Sequence, residues 1–85
     1  MPYNAELVAE LNLLNHFNLG TTQEGIKVHH NAAPEMIEAA KRLFDKGLIT
    51  QMDGGYLTDL GHEAAEHSQS LQTILTTPVQ IDTTS

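Results

Sequence analysis

The sequence predicts a small α+β domain of three helices and a β-hairpin, with a third short strand as an open alternative. Three segments repeat apolar residues at helical spacing, and each opens on residues suited to a helix N-terminus. An Asp53-Gly54 pair between two β-rich runs is a strong hairpin signal. With 85 residues the chain makes one domain at most, predicted over residues 1–78 with a flexible tail at 79–85.

The first helix is predicted to begin after Asn4, whose side-chain oxygen can accept a free amide of the first turn, and to end at Gly20. Its main apolar stripe consists of Leu7, Leu11 and Leu14. A second apolar pair, Leu13 and Phe17, lies on a different side of this helix. A helix that is apolar on two sides needs two partners, so the second pair indicates contact with a second subunit.

The second helix is predicted to follow a short strand at 26–29, where Ile26 and Val28 alternate with polar neighbours. It begins at Asn31 or at the Ala33-Pro34 step, because proline fits the first helical turn. Its last residue lies just before a glycine at position 47, which is expected to adopt a left-handed conformation.

The hairpin is predicted over residues 48–58. Asp53 and Gly54 form its tip as the central residues of a type I′ turn, in which both need positive φ. Thr58 or Asp59 then caps the third helix.

The third helix carries an apolar stripe at i, i+4, i+7, i+11 and i+14, and Pro78 marks its end. The stripe consists of Leu60, Ala64, His67, Leu71 and Ile74. It either covers the domain core or pairs with a second copy of the chain. The second apolar side of the first helix favours pairing, so a homodimer through the first and last helices is predicted.

The three helices and the hairpin are predicted to share one core. It consists of Leu7, Leu11, Leu14, Ile37, Ala40, Phe44, Leu48, Leu57, Leu60, Ala64 and Leu71. Hydrophobic residues make up 40% of the chain, which is sufficient for one core of this size.

The segment around the hairpin resembles bacterial winged-helix proteins over residues 33–66. A helix ends in Gly-Leu-Ile at 47–49, a hairpin follows, and Leu-Thr-x-x-Gly at 57–61 opens the next helix. The resemblance implies that the helix at 34–46 is a DNA recognition helix and that the hairpin is a wing. The whole chain is also similar to a family of small gammaproteobacterial proteins without established function, some of which carry a DNA-binding label. The chain departs from the winged-helix pattern at 20–32, where a loop with a strand replaces a supporting helix.

All four basic residues lie between positions 27 and 46. If the second helix enters a major groove, the nucleic-acid contacts are Lys27, Lys41, Arg42 and Lys46. The same cations can instead be solvated positions that balance Glu38 and Asp45. The net charge of −7 and the cation-free wing count against general nucleic-acid packaging. The sequence therefore predicts a transcription-regulator-like module that binds double-stranded DNA; the alternative is an acidic protein-interaction or structural module that does not.

Other functional classes find little support in the sequence. The chain has no cysteine, which removes thiolate catalysis and cysteine-ligated metals. His62 and His67 are five positions apart, whereas two metal ligands on one helical face need a spacing of four. We expect no enzyme activity, no cofactor, no metal and no small-molecule substrate. No apolar run approaches the ~20 residues of a membrane span and the first residues are not basic, so we expect a cytoplasmic protein.

Overall fold

Three helices and a three-stranded antiparallel sheet form the computed structural model, which describes residues 2–21 and 24–78. The elements are α1 (Ala5–Leu14), β1 (Ile26–Lys27), α2 (Pro34–Asp45), β2 (Ile49–Gln51), β3 (Gly54–Leu57) and α3 (Asp59–Thr76). Strand β3 lies between β1 and β2 and pairs antiparallel with both. The α+β prediction is confirmed, with the third strand present and the arrangement winged-helix-like. The tail predicted at 79–85 lies outside the described residues.

Helix α1 begins as predicted but ends earlier. Asn4 Oδ1 accepts a hydrogen bond of 2.8 Å from the backbone N–H of Leu7. The helix ends at Leu14, with Asn15 as its C-cap, so the predicted end at Gly20 is wrong. The amides of His16 and Phe17 bond three residues back instead of four, which tightens the last turn. The tightened turn brings Phe17, which is 3% exposed, into the core.

The hairpin is confirmed, but its turn differs from the predicted one. Met52 and Asp53 connect β2 to β3, and positive φ occurs at Gly54 (129°) and Gly55 (76°). Asp53 does not have positive φ, so the type I′ turn centred on Asp53-Gly54 is wrong. Strand β1 pairs with β3 at these glycines, and a Cβ atom on Gly54 would collide with the carbonyl oxygen of Ile26. The two glycines therefore allow β1 to approach β3 closely, in addition to forming the turn.

The ends of α2 and α3 follow local signals. Pro34 occupies the first turn of α2, which selects the Ala33-Pro34 alternative, and Gly47 beyond its end has a φ of 78°. Thr58, and not Asp59, caps α3. The Oγ1 atom of Thr58 accepts a hydrogen bond of 3.0 Å from the Gly61 N–H and donates one of 2.6 Å to the Gly47 carbonyl.

The core differs in part from the predicted set. The buried apolar residues are Ala9, Leu13, Leu14, Phe17, Ala39, Ala40, Leu43, Ile49 and Ala65. Of the predicted residues, Leu14 and Ala40 are buried, and Leu48, Leu57 and Ala64 pack against the core while partly exposed. Leu7, Leu11 and Ile37 are half-buried. The prediction is wrong for Phe44 (39% exposed), Leu60 (56%) and Leu71 (37%).

Two helices turn a different side to the core than the sequence predicted. Leu13 on α1 and Phe17 in the turn that follows are core residues, so their assignment to a subunit contact is wrong. On α3, the buried residues are Gly61, Ala65 and Ser68, all of them small. A Cβ atom on Gly61 would collide with the backbone of Leu48, which shows how closely α3 approaches the start of the hairpin. Neither α3 nor another helix of the described ranges combines the length and apolarity that crossing a bilayer requires.

Candidate functional site

Two of the predicted DNA contacts, Arg42 and Lys46, converge on one carboxylate. Arg42 Nε donates a hydrogen bond of 2.7 Å to Glu10 Oε2, and Arg42 Nη2 donates one of 3.1 Å to the carbonyl oxygen of Glu6. Lys46 Nζ donates to the other oxygen of Glu10. Glu10 lies on α1 and is only 5% exposed. We call Glu10, Arg42 and Lys46 the Glu10 triad; it joins the end of α2 to α1.

The Glu10 triad keeps its carboxylate charged. Burial raises the pKa of Glu10 and is the largest single effect on it. The hydrogen bonds and positive charges of Lys46 and Arg42 act in the opposite direction and together outweigh burial. The pKa of Glu10 therefore lies below its ordinary value, and the ion pairs are present at neutral pH.

The other two predicted contacts, Lys27 and Lys41, lie on a different part of the surface. Lys27 Nζ is 2.9 Å from Asp53 Oδ2 at the hairpin turn, and Lys41 Nζ is 3.3 Å from Glu38 Oε2. The hydrogen bond from Lys27 is the main cause that lowers the pKa of Asp53. Both lysines border one open cavity of about 310 Å³ between β1, α2 and the hairpin turn. The structure thus brings these two cations together, next to an exposed histidine, His30.

The solvent-facing side of α2 is mainly acidic. Glu35, Glu38 and Asp45 are exposed along this helix, whereas Lys41 is the only exposed cation between its first and last residues. Lys46, the C-cap of α2, is exposed as well but pairs with Glu10. A recognition helix that enters a major groove approaches two rows of phosphates, so carboxylates on its outer face are repelled. Arg42 cannot offset them, because it points towards α1 within the Glu10 triad.

The apolar stripe predicted on α3 lies mostly outside the core. We keep the name α3 stripe for Leu60, Ala64, His67, Leu71 and Ile74. Leu60 is 56% exposed and Ile74 is 69% exposed, and His67 is exposed as well. The buried side of α3 lies about 100° further around the helix. Of the two alternatives for the stripe, covering the core is therefore wrong for most of its length.

A groove between α1 and α3 continues the exposed apolar surface. This α1–α3 groove has a volume of about 240 Å³. Its apolar walls are formed by Tyr3, Val8, Leu11, Leu71 and Leu75, and its polar lining by Asn12, Asn15, Ser68, Gln72 and Thr76. No lysine, arginine, aspartate or glutamate lines it among the described residues. The sequence prediction missed Tyr3, which precedes α1, and Val8, an apolar residue off the main stripe of that helix.

Hydrogen bonds fix the walls of this groove. Ser68 Oγ donates a hydrogen bond of 2.6 Å to Asn15 Oδ1, beyond the end of α1. Gln69 Nε2 donates one of 2.7 Å to the carbonyl oxygen of Phe17. These bonds satisfy polar groups just beyond the end of α1 and hold the middle of α3 against that segment. Residues 70–78, which form the rest of α3 and the segment just after it, are all exposed.

The histidines do not assemble a metal centre in the part of the chain that the structure describes. His62 Nδ1 lies 3.8 Å from Glu66 Oε2, one helical turn further on. Across residues 2–21 and 24–78, no three His, Asp or Glu side chains come close enough to hold a metal ion. This arrangement of His62 and Glu66 is that of a surface pair.

A family model for DUF5669, a family of unknown function, matches residues 1–76. The chain belongs to this family. The match extends over all six helices and strands, so the DUF5669 family and the described domain coincide. No curated protein and no solved structure matches the chain. The predicted membership of an uncharacterised family is confirmed, whereas the gammaproteobacterial origin and the DNA-binding label remain predictions.

Proposed function

We propose that this DUF5669 domain is a protein-interaction module that uses a winged-helix-like scaffold and does not bind nucleic acid. The observation that carries the proposal is the pairing of every lysine and arginine of the chain with a carboxylate. DNA affinity comes largely from cations that replace the counterions of phosphates. A cation held by a carboxylate must first give up that partner, so each pair lowers the gain from a phosphate contact.

Arg42 is the cation least available for DNA. Its guanidinium group donates hydrogen bonds to the buried carboxylate of Glu10 and to the backbone carbonyl of Glu6, both on α1. If Arg42 moved away from Glu10, a carboxylate that is only 5% exposed would lose one of its two cations. This is costly because a buried charge without a partner is destabilising. Arg42 therefore stabilises the contact between α1 and α2, and it is not free to pair with a guanine.

The overall charge supports the same conclusion. The chain carries a net charge of −7, the outer face of α2 is mainly acidic, and Asp53 lies at the tip of the hairpin. Long-range repulsion lowers the rate at which such a surface meets a polyanion. The exposed apolar residues of the α3 stripe and the α1–α3 groove are, in contrast, typical of a surface that contacts protein.

Duplex DNA binding is the second candidate, and the shared position of Lys27 and Lys41 favours it. Both lysines border the cavity between α2 and the hairpin, where the winged-helix resemblance places groove contacts. Their ion pairs are exposed, and exposed pairs contribute only about 0–1 kcal/mol, so phosphate can compete for these cations. On this hypothesis Lys27 and Lys41 contact phosphates, and Arg42 and Lys46 position α2.

Titration of labelled random and genomic duplex DNA at several salt concentrations separates the two functions. The interaction proposal predicts no binding even at low salt. Affinity that falls steeply with salt and that weakens on Lys41→Ala would overturn it in favour of DNA binding. Arg42→Ala is a poor probe because it also opens the Glu10 triad. Glu35→Gln, which changes an exposed charge on α2 and no cation, is the matched control.

A further inference from the structure

The α3 stripe has the spacing of a helix-pairing seam. Its members follow one another at alternating intervals of four and three residues, from Leu60 to Ile74. A stripe with this average spacing of 3.5 residues stays turned towards a second helix over its whole length. We propose that the α3 stripe pairs with the α3 stripe of a second copy of the chain, antiparallel and around a two-fold axis at His67. This rests on the proposed interaction function and names its partner.

The domain itself leaves most of the stripe uncovered, although Ala64 packs against the core. Its core takes Gly61, Ala65 and Ser68 from α3 and leaves Leu60, Leu71 and Ile74 exposed. From residue 70 to residue 78 each described residue is exposed, so the second half of α3 extends past the core. The longest dimension of the described structure is 51 Å, about twice the other two. A projecting helix with apolar side chains on one side gains its burial from another chain.

The distribution of charge along α3 favours a second copy of the chain as the partner and favours antiparallel pairing of the two helices. The carboxylates of α3 are Asp59, Glu63 and Glu66, all in its first half, whereas residues 68–76 hold no Lys, Arg, Asp or Glu. Parallel pairing would place Glu63 of one copy beside Glu63 of the other, and like charges across a helix pair disfavour it. Antiparallel pairing places each acidic half against the uncharged half of the other copy. Antiparallel pairing also makes the two helix dipoles point in opposite directions, which is favourable.

A two-fold axis at His67 produces complementary contacts along the seam. Leu60 is then level with Ile74 of the second copy, and Ala64 lies within one residue of the level of Leu71, so a small side chain packs beside a large one. His67 faces His67 of the second copy at the centre of the seam. A polar residue at the centre of an apolar seam sets the register at a cost in affinity. The association is therefore specific and weaker than an all-apolar seam would give.

Sedimentation velocity of the full chain over a range of concentrations tests the pairing. We expect a monomer–dimer equilibrium that Ile74→Glu weakens at least about tenfold. His67→Leu should strengthen the dimer because it completes the apolar seam. Thr73→Glu is the matched control, since Thr73 is exposed on the same helix about 120° from His67 and should leave the equilibrium unchanged.

Single cysteines report the direction, because the natural chain has none. Under mild oxidation, a mixture of the Leu60→Cys and Ile74→Cys variants should form the mixed disulfide in preference to either self-linked product. Efficient self-linking of Ile74→Cys would overturn the antiparallel arrangement. A wild-type chain that stays monomeric at all concentrations, or equal losses in Ile74→Glu and Thr73→Glu, would overturn self-pairing. Neither result bears on the DNA titration, so failure of the pairing and failure of the interaction function are distinguished.

Discussion

Arg42 Nε lies 2.7 Å from Glu10 Oε2, across the contact between α2 and α1. A residue predicted to contact DNA is thus part of the interior contact between two helices of the domain. Lys46 shares the same carboxylate, so a single glutamate engages half of the chain's cations. The Glu10 triad explains how an acidic chain can place basic residues on its second helix without forming a basic surface.

Glu10→Gln should destabilise the protein. The substitution removes the charge that Arg42 and Lys46 share and leaves a neutral amide in a nearly buried site. We expect the free energy of unfolding to fall by about 1–3 kcal/mol, measured by urea denaturation followed by circular dichroism at a fixed protein concentration. Glu38→Gln is the control, because its exposed pair with Lys41 should contribute at most about 0.5 kcal/mol. Equal losses in the two variants would contradict a special role for Glu10.

The contribution of Glu10 should disappear in acid. Its pKa is lower in the folded chain than in the unfolded chain, so the unfolded state binds the proton first as the pH falls. The stabilisation is complete above the ordinary pKa of glutamate and is lost as the pH falls through the lower, folded-state pKa. The difference in free energy of unfolding between the natural chain and Glu10→Gln should therefore shrink as the pH falls through the ordinary pKa of glutamate and on through the lower, folded-state pKa. A difference that stays constant over this range would show that the ion pairs do not cause it.

Thr58→Ala should weaken the connection between the hairpin and α3. The hydroxyl group caps α3 through Gly61 and also donates to the Gly47 carbonyl, so alanine removes both hydrogen bonds. We expect a loss of about 1–2 kcal/mol in the free energy of unfolding. Thr58→Ser keeps the hydroxyl and should retain most of the stability. Serine and alanine variants of equal stability would show that the cap contributes little.

Leu43→Ala should be far more destabilising than Phe44→Ala, although phenylalanine is the larger residue. Leu43 is 1% exposed and Phe44 is 39% exposed. Removing the buried leucine should cost about 2–5 kcal/mol, whereas the phenylalanine variant should stay within about 1 kcal/mol of the natural chain. Thermal and urea denaturation of both variants check the order. A larger loss for Phe44→Ala would mean that α2 turns a different side to the core.

Much of the fold could be predicted because its signals are local. Asn4 and Thr58 cap helices through amides three residues away, and Gly47 ends α2 with a positive φ. The position of the hairpin turn could be predicted, but its turn type could not. The conformations of Gly54 and Gly55 depend on strand β1, which pairs with β3 from more than 25 residues upstream. The stripe of α3 was recognised, but periodicity alone did not tell whether it faced inwards.

The sequence by itself determined the kind and order of the elements, since capping, turn formation and helical periodicity act over a few residues. Only the tertiary structure decided which side of each helix is buried and what each cation meets. Arg42 and Glu10 are 32 positions apart, and Ser68 and Asn15 are 53 apart. Such contacts depend on how closely the packed elements approach one another, as where α3 lies against the backbone of Leu48 at Gly61. That distance is a property of the packed domain, and no local pattern specifies it.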